Sequence, residues 1–538
     1  MLKDIKSPQV LKIIFDKLKN RTKLKLIKHS KIYLNKLNVT IEDFKVYEYL
    51  IEFNKKYFTN INDIDIKELT IRKMEIRNQV GIFDKINFKE LEKLNLSENK
   101  INNINNLENL KNLKELNLGD NEIIKLDILE KAKFNKLEKL YLNNNLISDI
   151  NVFEKVNFKE LKELDLSSNL IRDISMIKNF NLKELQKLGL YHNEISDITV
   201  LSQIKLEKLA VLVLSNNKIS DISIFNKVNL ENLKELYLGQ NKISQLNQFN
   251  LPKLEKLDLE FNELTDITDL EKINLNELKE LDLRRNDISN IEVLEKVKFE
   301  KLETINLSGN QIQDISILKK VNFKELKELD ISYNKISDIN ALEKVKFEKL
   351  EKLGLGHNEI SDIRVLEKIN FKNLKELKLN DNKISDINVL ERVKFVKLKT
   401  LYLQNNKISK IKVLENVNFK NLQILYLNQN KISDINPLEK ADFKKLKELE
   451  LCYNNISDIS VLKNVNFREL EKLYLNYNQI SDISVLLEVN FKKLKLLYLH
   501  FNKIKDTSIV KKADFNELED FNCNHHVDNY DDYFGKFY

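Results

Sequence analysis

Residues able to do chemistry are few in this sequence and scattered along it. Six histidines and two cysteines, Cys452 and Cys523, are spread over 538 residues. Only Cys523-Asn524-His525-His526 gathers potential metal ligands. Three ligands without a partner cluster fit the end of a structural element better than a zinc site. No nucleophile–base arrangement can be inferred. With eight glycines the chain carries no phosphate-cradling P-loop and no glycine-rich dinucleotide turn. Carboxylates are abundant but recur at solvent positions of a repeat, where acid/base work is not implied. The expectation is a protein that is not an enzyme, with no cofactor and no metal.

A second kind of chemistry is contact. From Tyr402 onward one column of the repeat becomes Tyr402, Tyr426, Glu450, Tyr474, Tyr498, and the next becomes Gln404, Asn428, Cys452, Asn476, His500. Tyr453, Tyr477 and Phe501 stand beside them. Tyrosine joins a large contact area to a polar tip at little rotamer cost, which suits recognition surfaces. The expected partner-binding residues are Tyr402, Tyr426, Tyr453, Tyr474, Tyr477, Tyr498, His500 and Phe501. A compositional origin stays open, since Tyr141 and Tyr237 occur singly in the first column.

These columns are positioned by a repeat. Asparagines recur at Asn145, Asn169, Asn193, Asn217 and Asn241, then from Asn262 to Asn502. The step is 24 residues, except 21 between Asn241 and Asn262; upstream, Asn121 and Asn99 continue at 24 and 22. Around Leu161, Leu164 and Leu166 alternate with Glu163, Asp165 and Ser167, which is strand period. One such strand cannot bury its apolar face alone, so copies must stack into a parallel sheet with strands ~4.8 Å apart, an arc on the order of 90 Å for about 19 strands. Asn151-Val-Phe-Glu154, Asn388-Val-Leu-Glu391 and Asn436-Pro-Leu-Glu439 predict short helices on the return limb, capped by the asparagine with the glutamate closing a capping box. Phenylalanines from Phe134 to Phe515, replaced by leucine at Leu182, Leu206, Leu230, Leu251 and Leu275, form a core stripe.

The pattern L-x-x-L-x-L-x-x-N resembles the leucine-rich repeat, in the short type found in phosphatase-regulator and internalin-like proteins. The resemblance covers roughly residues 60–526, with 18 full copies and degraded terminal ones. It implies an α/β fold: a right-handed solenoid, with a parallel β-sheet on the concave face and short helices on the convex face. It also implies an asparagine ladder between coils and a concave surface for a protein partner. Met74 and His526 take the asparagine's place in the terminal copies.

Charge divides the chain. Residues 1–36 hold 11 Lys/Arg and two acids, a net of +9 within a chain total of +7. On the strands, Glu235, Lys256, Glu280, Thr304, Glu328, Lys352, Glu376 and Lys234, Glu255, Lys279, Glu303, Lys327, Glu351, Lys375 alternate in sign, as cross-strand pairs would. Positive charge is not gathered into a stripe there, so nucleic acid is not expected as a partner. No apolar run is long enough to span a membrane.

Residues 1–57 predict a small N-terminal helical module. Ser7-Pro8 starts a helix on which Leu11, Ile14, Phe15 and Leu18 share a face. Together with Leu24, Leu26, Ser30 and Lys31 this stretch resembles an F-box, although Ser7 replaces the usual leucine and no tryptophan follows Lys31. That resemblance implies Pro8, Leu11, Ile14, Phe15 and Leu18 as contacts for a Skp-type adaptor and a cullin. A plain helical cap is the other reading. Residues 527–538 are an acidic, aromatic tail. Pro252 lies in the shortened copy, Leu246 to Leu257, where an irregular convex wall is expected. The absence of a disulfide framework favours a cytoplasmic location, with the nucleus as the alternative.

Overall fold

The computed structural model describes residues 67–70, 72, 90–132, 134–156 and 158–523. The helical module over 1–57, with Pro8, Leu11, Ile14, Phe15 and Leu18, lies outside the described residues, as do Met74, His525, His526 and the tail.

The chain divides into two compact units, one ending at Lys242 and the other starting at Ile243. Among the described residues the first unit carries eight three-residue strands, Glu68–Thr70 to Glu235–Tyr237, each pairing in parallel with the next in sequence. The second carries twelve, Lys256–Asp258 to Asp520–Asn522, paired in the same way. Register is set by the leucines. Leu401 opposes Leu377 on one side and Leu425 on the other, and all three are fully buried. Their strand neighbours alternate to the opposite face. A slip of one residue would expose the whole leucine set, so the register is tightly specified.

The phenylalanine stripe is core. Phe347, Phe371, Phe395, Phe419, Phe443, Phe467 and Phe491 are all fully buried. Successive rings stack, as Phe443 and Phe467 do at 6.3 Å. Phe515, in the last described coil, is half-buried.

The asparagine ladder is formed by side chains that bond their own turn and the preceding coil. Asn358 accepts the Ile336 N–H at 3.0 Å and donates to the carbonyls of Ile331, Leu355 and Gly356 at 3.1, 3.2 and 3.1 Å. Buried backbone groups at the bend are thereby satisfied where no helix or sheet can reach them.

The return limb differs from the expectation in two respects. First, most limbs are single 3-10 turns; among the described residues Ile128–Ala132 is the one α-helical limb. In Asn388–Glu391 the Leu390 N–H donates to the Ile387 carbonyl, an i→i+3 bond. Four or five residues between two buried anchors leave no room for an i→i+4 ladder. Second, the asparagine does not cap. Asn151, Asn388 and Asn436 are first turn residues, and each donates its N–H to the carboxylate two residues upstream: Asp149 at 2.8 Å, Asp386 at 2.9 Å, Asp434 at 2.9 Å. The aspartate reaches forward over an isoleucine in the bridge region, such as Ile387 at φ −114°, ψ 12°. Nor does the glutamate close a box: Glu154 accepts from Asn179 of the next coil. The shortened copy has its irregular wall. No 3-10 turn lies between Ile243 and Lys256, and Asn247 sits at φ 57°.

Candidate functional site

The alternating charges pair across neighbouring strands. Lys256–Glu280 and Lys352–Glu328 close at 2.7 and 2.9 Å, and Lys279–Glu255, Lys327–Glu303 and Lys375–Glu351 each at 2.6 Å. Half-exposed pairs of this kind contribute about 0.2–1 kcal/mol each. They hold strands in register and leave little net field, so the charged columns do not form the site.

Three carboxylates of the second unit, Asp258, Glu260 and Asp282, bring one oxygen each within 4.8 Å of one another. Arg284 already supplies the cation, at 2.5 Å from Glu260 and 3.1 Å from Asp282. Burial still pushes the Asp282 carboxyl up to about 6. The cluster is a carboxylate–guanidinium group in which Arg284 pairs with Glu260 and Asp282, while burial raises the Asp258 carboxyl.

The tyrosine columns make a different surface. Tyr402 and Tyr426 end the strands Thr400–Tyr402 and Ile424–Tyr426 in register, their rings edge-on at 5.1 Å. Tyr474 and Tyr498 end Lys472–Tyr474 and Leu496–Tyr498 in the same way, at 5.3 Å. Glu450, ending Glu448–Glu450, stands between the two pairs, opposite Tyr426 on one side and Tyr474 on the other. Tyr426 donates its hydroxyl to Glu448 at 2.9 Å, and Lys472 pairs with the same carboxylate at 3.2 Å. Among the described residues no hydrogen bond or ion pair reaches the Glu450 carboxylate, and burial, aided by the charge of Glu448, pushes it up to about 8. Burial, then Glu376, likewise pushes the Tyr402 phenol up to about 12. Tyr498 is buried and donates to Asp520 at 2.6 Å, so it offers less open area than the other three.

Beside this column lies a second. Asn428 and Asn476 are more than nine-tenths buried, flanking the buried Cys452. Among the described residues no hydrogen-bond partner reaches the side-chain oxygens of Gln404, Asn428 and Asn476 or the Nδ1 of His500. Burial also lowers the affinity of His500 for a proton. Buried polar atoms are ordinarily satisfied, and an orphan is worth of order 1–3 kcal/mol to a partner that reaches it. The repeat spacing puts these residues in one column but carries no sign that they lack partners.

A third column, on the turn before each ladder asparagine, contains the expected Tyr453, Tyr477 and Phe501, and the structure adds that its backbone is left-handed. Its residues hold positive φ, among them Asp381, Asn405, Gln429, Tyr453, Tyr477 and Phe501, at 50–60°. Asn, Asp and Gly enter this region readily, as Gly309 does at φ 67°. A bulky side chain enters at a cost of order 1–3 kcal/mol. Three consecutive coils nevertheless put aromatic residues there, stacked at 4.0 Å for Tyr453–Tyr477 and 4.3 Å for Tyr477–Phe501. His500 packs edge-on at 5.6 Å from Tyr477. Elsewhere the column is mostly polar or small, with Phe261 and Tyr333 as aromatic exceptions and Tyr333 stacked on His357 at 3.8 Å; what sets the last coils apart is three aromatics in succession. Thus Tyr453, Tyr477, Phe501 and His500 form one group, Tyr474 and Tyr498 adjoin it, and Tyr402 with Tyr426 lies across Glu450.

A family profile described as leucine-rich repeats in two copies matches the sequence in overlapping stretches from residues 135–179 to 468–512. The chain belongs to the leucine-rich-repeat family. No curated protein matches this leucine-rich-repeat chain. Among solved structures it is similar to the plant peptide hormone receptor RGFR1 in complex with RGF2, with 21% identity over 84% of this chain and 76% of that one, at a TM-score of 0.52. It is also similar to an internalin of Listeria monocytogenes, with 28% identity over 69% and 89% at a TM-score of 0.46. A leucine-rich-repeat protein of Leptospira interrogans shows 22% identity over 83% and 98%, at 0.49. The receptor likeness shows the shared fold. No helix among the described residues is long and apolar enough to cross a membrane.

Proposed function

We propose that this leucine-rich-repeat protein is a non-catalytic scaffold that binds a protein partner on the open strand face around Tyr402–Phe501. The observation that carries the reading is the stacked trio Tyr453–Tyr477–Phe501, held at positive φ beside orphaned amide oxygens. Local backbone preference opposes aromatics at these turns, and rigid aromatic anchors beside unsatisfied acceptors are what a partner's hot spot requires. The free thiol of Cys452 and the cysteine usage support the cytoplasm as its compartment.

The finer reading is a substrate-recognition subunit of a cullin-type ubiquitin ligase, engaged through Pro8, Leu11, Ile14, Phe15 and Leu18. It rests on the F-box resemblance of the sequence. The alternative is a scaffold or phosphatase regulatory subunit with no ubiquitin link.

One capture experiment tests these readings, using the full chain with a photo-crosslinking residue at position 477 or at 292 on the 3-10 side. Position 477 should yield partner adducts that Tyr474→Ala reduces at least tenfold, while position 292 yields none. Equal labelling from both positions removes the proposal. A Skp-type adaptor retained by wild type and lost with Phe15→Ala supports the ligase reading; no adaptor in either leaves the scaffold alone.

A further inference from the structure

We propose that the strand face recognises a basic segment of its partner, and that an arginine side chain of that segment seats over Glu450 between Tyr426 and Tyr474. This inference rests on the binding reading above and names the chemistry of the occupant. Four observations support it.

The first is charge. Glu448 and Glu450 lie on one strand, but only Glu448 is bonded, by Tyr426 and Lys472; Lys472 acts on Glu450 through space alone, and burial with the charge of Glu448 outweighs it. The Glu450 carboxylate is flanked on both sides by tyrosines in register and reached by no described cation within ion-pair distance. A half-buried carboxylate left in this state costs free energy that an incoming cation recovers.

The second is the aromatic frame. Tyr402–Tyr426 and Tyr474–Tyr498 stand as two edge-on pairs on either side of Glu450. A guanidinium between them gains both the carboxylate and the negative ring faces, and it is less strongly hydrated than an ammonium.

The third is the sign of the hydrogen-bonding capacity. The orphaned atoms on Gln404, Asn428 and Asn476 are amide oxygens, all acceptors. Neutral His500 adds a further acceptor at Nδ1 if its proton sits on Nε2. A ligand matching this column must donate. Arginine has five N–H donors and no acceptor.

The fourth is scale. Asn428 and Asn476 lie one strand to either side of Cys452, hence on the order of 10 Å apart at ~4.8 Å per strand. One guanidinium reaches Glu450 and one of these amides. The segment's own backbone N–H groups serve the other.

The test is selection of a random twelve-residue peptide library, displayed on phage, against the full-length protein, followed by synthesis of the recovered peptides. The recovered peptides should carry an arginine whose replacement by isosteric, neutral citrulline weakens binding at least tenfold. Glu450→Gln should weaken them by a similar factor, and Tyr474→Ala should weaken them too. Glu450→Gln keeps the side-chain shape, so its melting temperature at pH 7.5 should be no lower than wild type, which separates lost recognition from lost folding. Peptides that depend on Tyr474 and Tyr477 but tolerate citrulline and Glu450→Gln overturn the arginine seat and leave the binding face standing. Recovery of no peptide, or of peptides indifferent to all these changes, removes both.

Discussion

At the residue scale, Glu450 is the carboxyl of the tyrosine face that burial keeps protonated in the free protein. Its folded carboxyl holds its proton up to about 8, against 4.5 ordinarily. Between those values the folded state binds more protons than the unfolded one, so stability falls as pH rises through this window. Glu450→Gln lacks that loss. Its melting temperature should exceed wild type by a few degrees at pH 8.5, with the difference shrinking toward zero near pH 5. Thermal scans in matched buffers check this; an equal offset at both pH values would mean that burial does not govern the group. The same side chain that weakens the free protein at alkaline pH is the one proposed to meet a cation, so ligand binding and pH act on one carboxylate.

At the scale of the element, the return limb is a single 3-10 turn held by an aspartate. Asp434 accepts the Asn436 N–H at 2.9 Å, and Pro437 follows inside the turn, where no N–H is needed. Asp434→Ala should therefore cost about 1 kcal/mol, as the loss of a cap does. Asn436→Ala should be close to neutral, since its side chain caps nothing. Urea midpoints of the two variants decide between them. A larger loss for Asn436→Ala would restore the capping that the residue types alone suggested.

At the scale of the whole molecule, coils within each unit pack on their sequence neighbours through strand pairing, and in the second unit also through stacked phenylalanines. Stability of such an array is a sum of local and nearest-neighbour terms. Phe395 is fully buried, and Phe395→Ala should cost ~3–5 kcal/mol. The loss should stay local. Amide exchange at Leu379, Leu403 and Leu427 should accelerate strongly, while Leu283 keeps its protection. Uniform acceleration from Leu259 to Leu499 would show a cooperative unit larger than neighbouring coils.

The repeat itself was fully legible in the sequence. Asparagine spacing, leucine alternation and the phenylalanine stripe each encode a periodic burial pattern, and stacked parallel strands are the arrangement that satisfies all three. The alternating Lys/Glu columns were legible for the same reason, because fixed register turns sequence spacing into spatial opposition. What the tertiary structure decided lies in angles and in partners rather than in spacing. The turn is 3-10 because two buried anchors are a fixed distance apart, a length that residue propensities do not carry. Asp386 rather than Asn388 caps it because the intervening Ile387 adopts the bridge conformation. The aromatics at 453, 477 and 501 matter because their backbone is left-handed, and Glu450, Asn428 and Asn476 matter because no hydrogen bond or ion pair from the described residues reaches the Glu450 carboxylate or the two amide oxygens. An unsatisfied atom is a property of its surroundings, so residue type and period alone could gather these side chains but could not show which of them still lacked a partner.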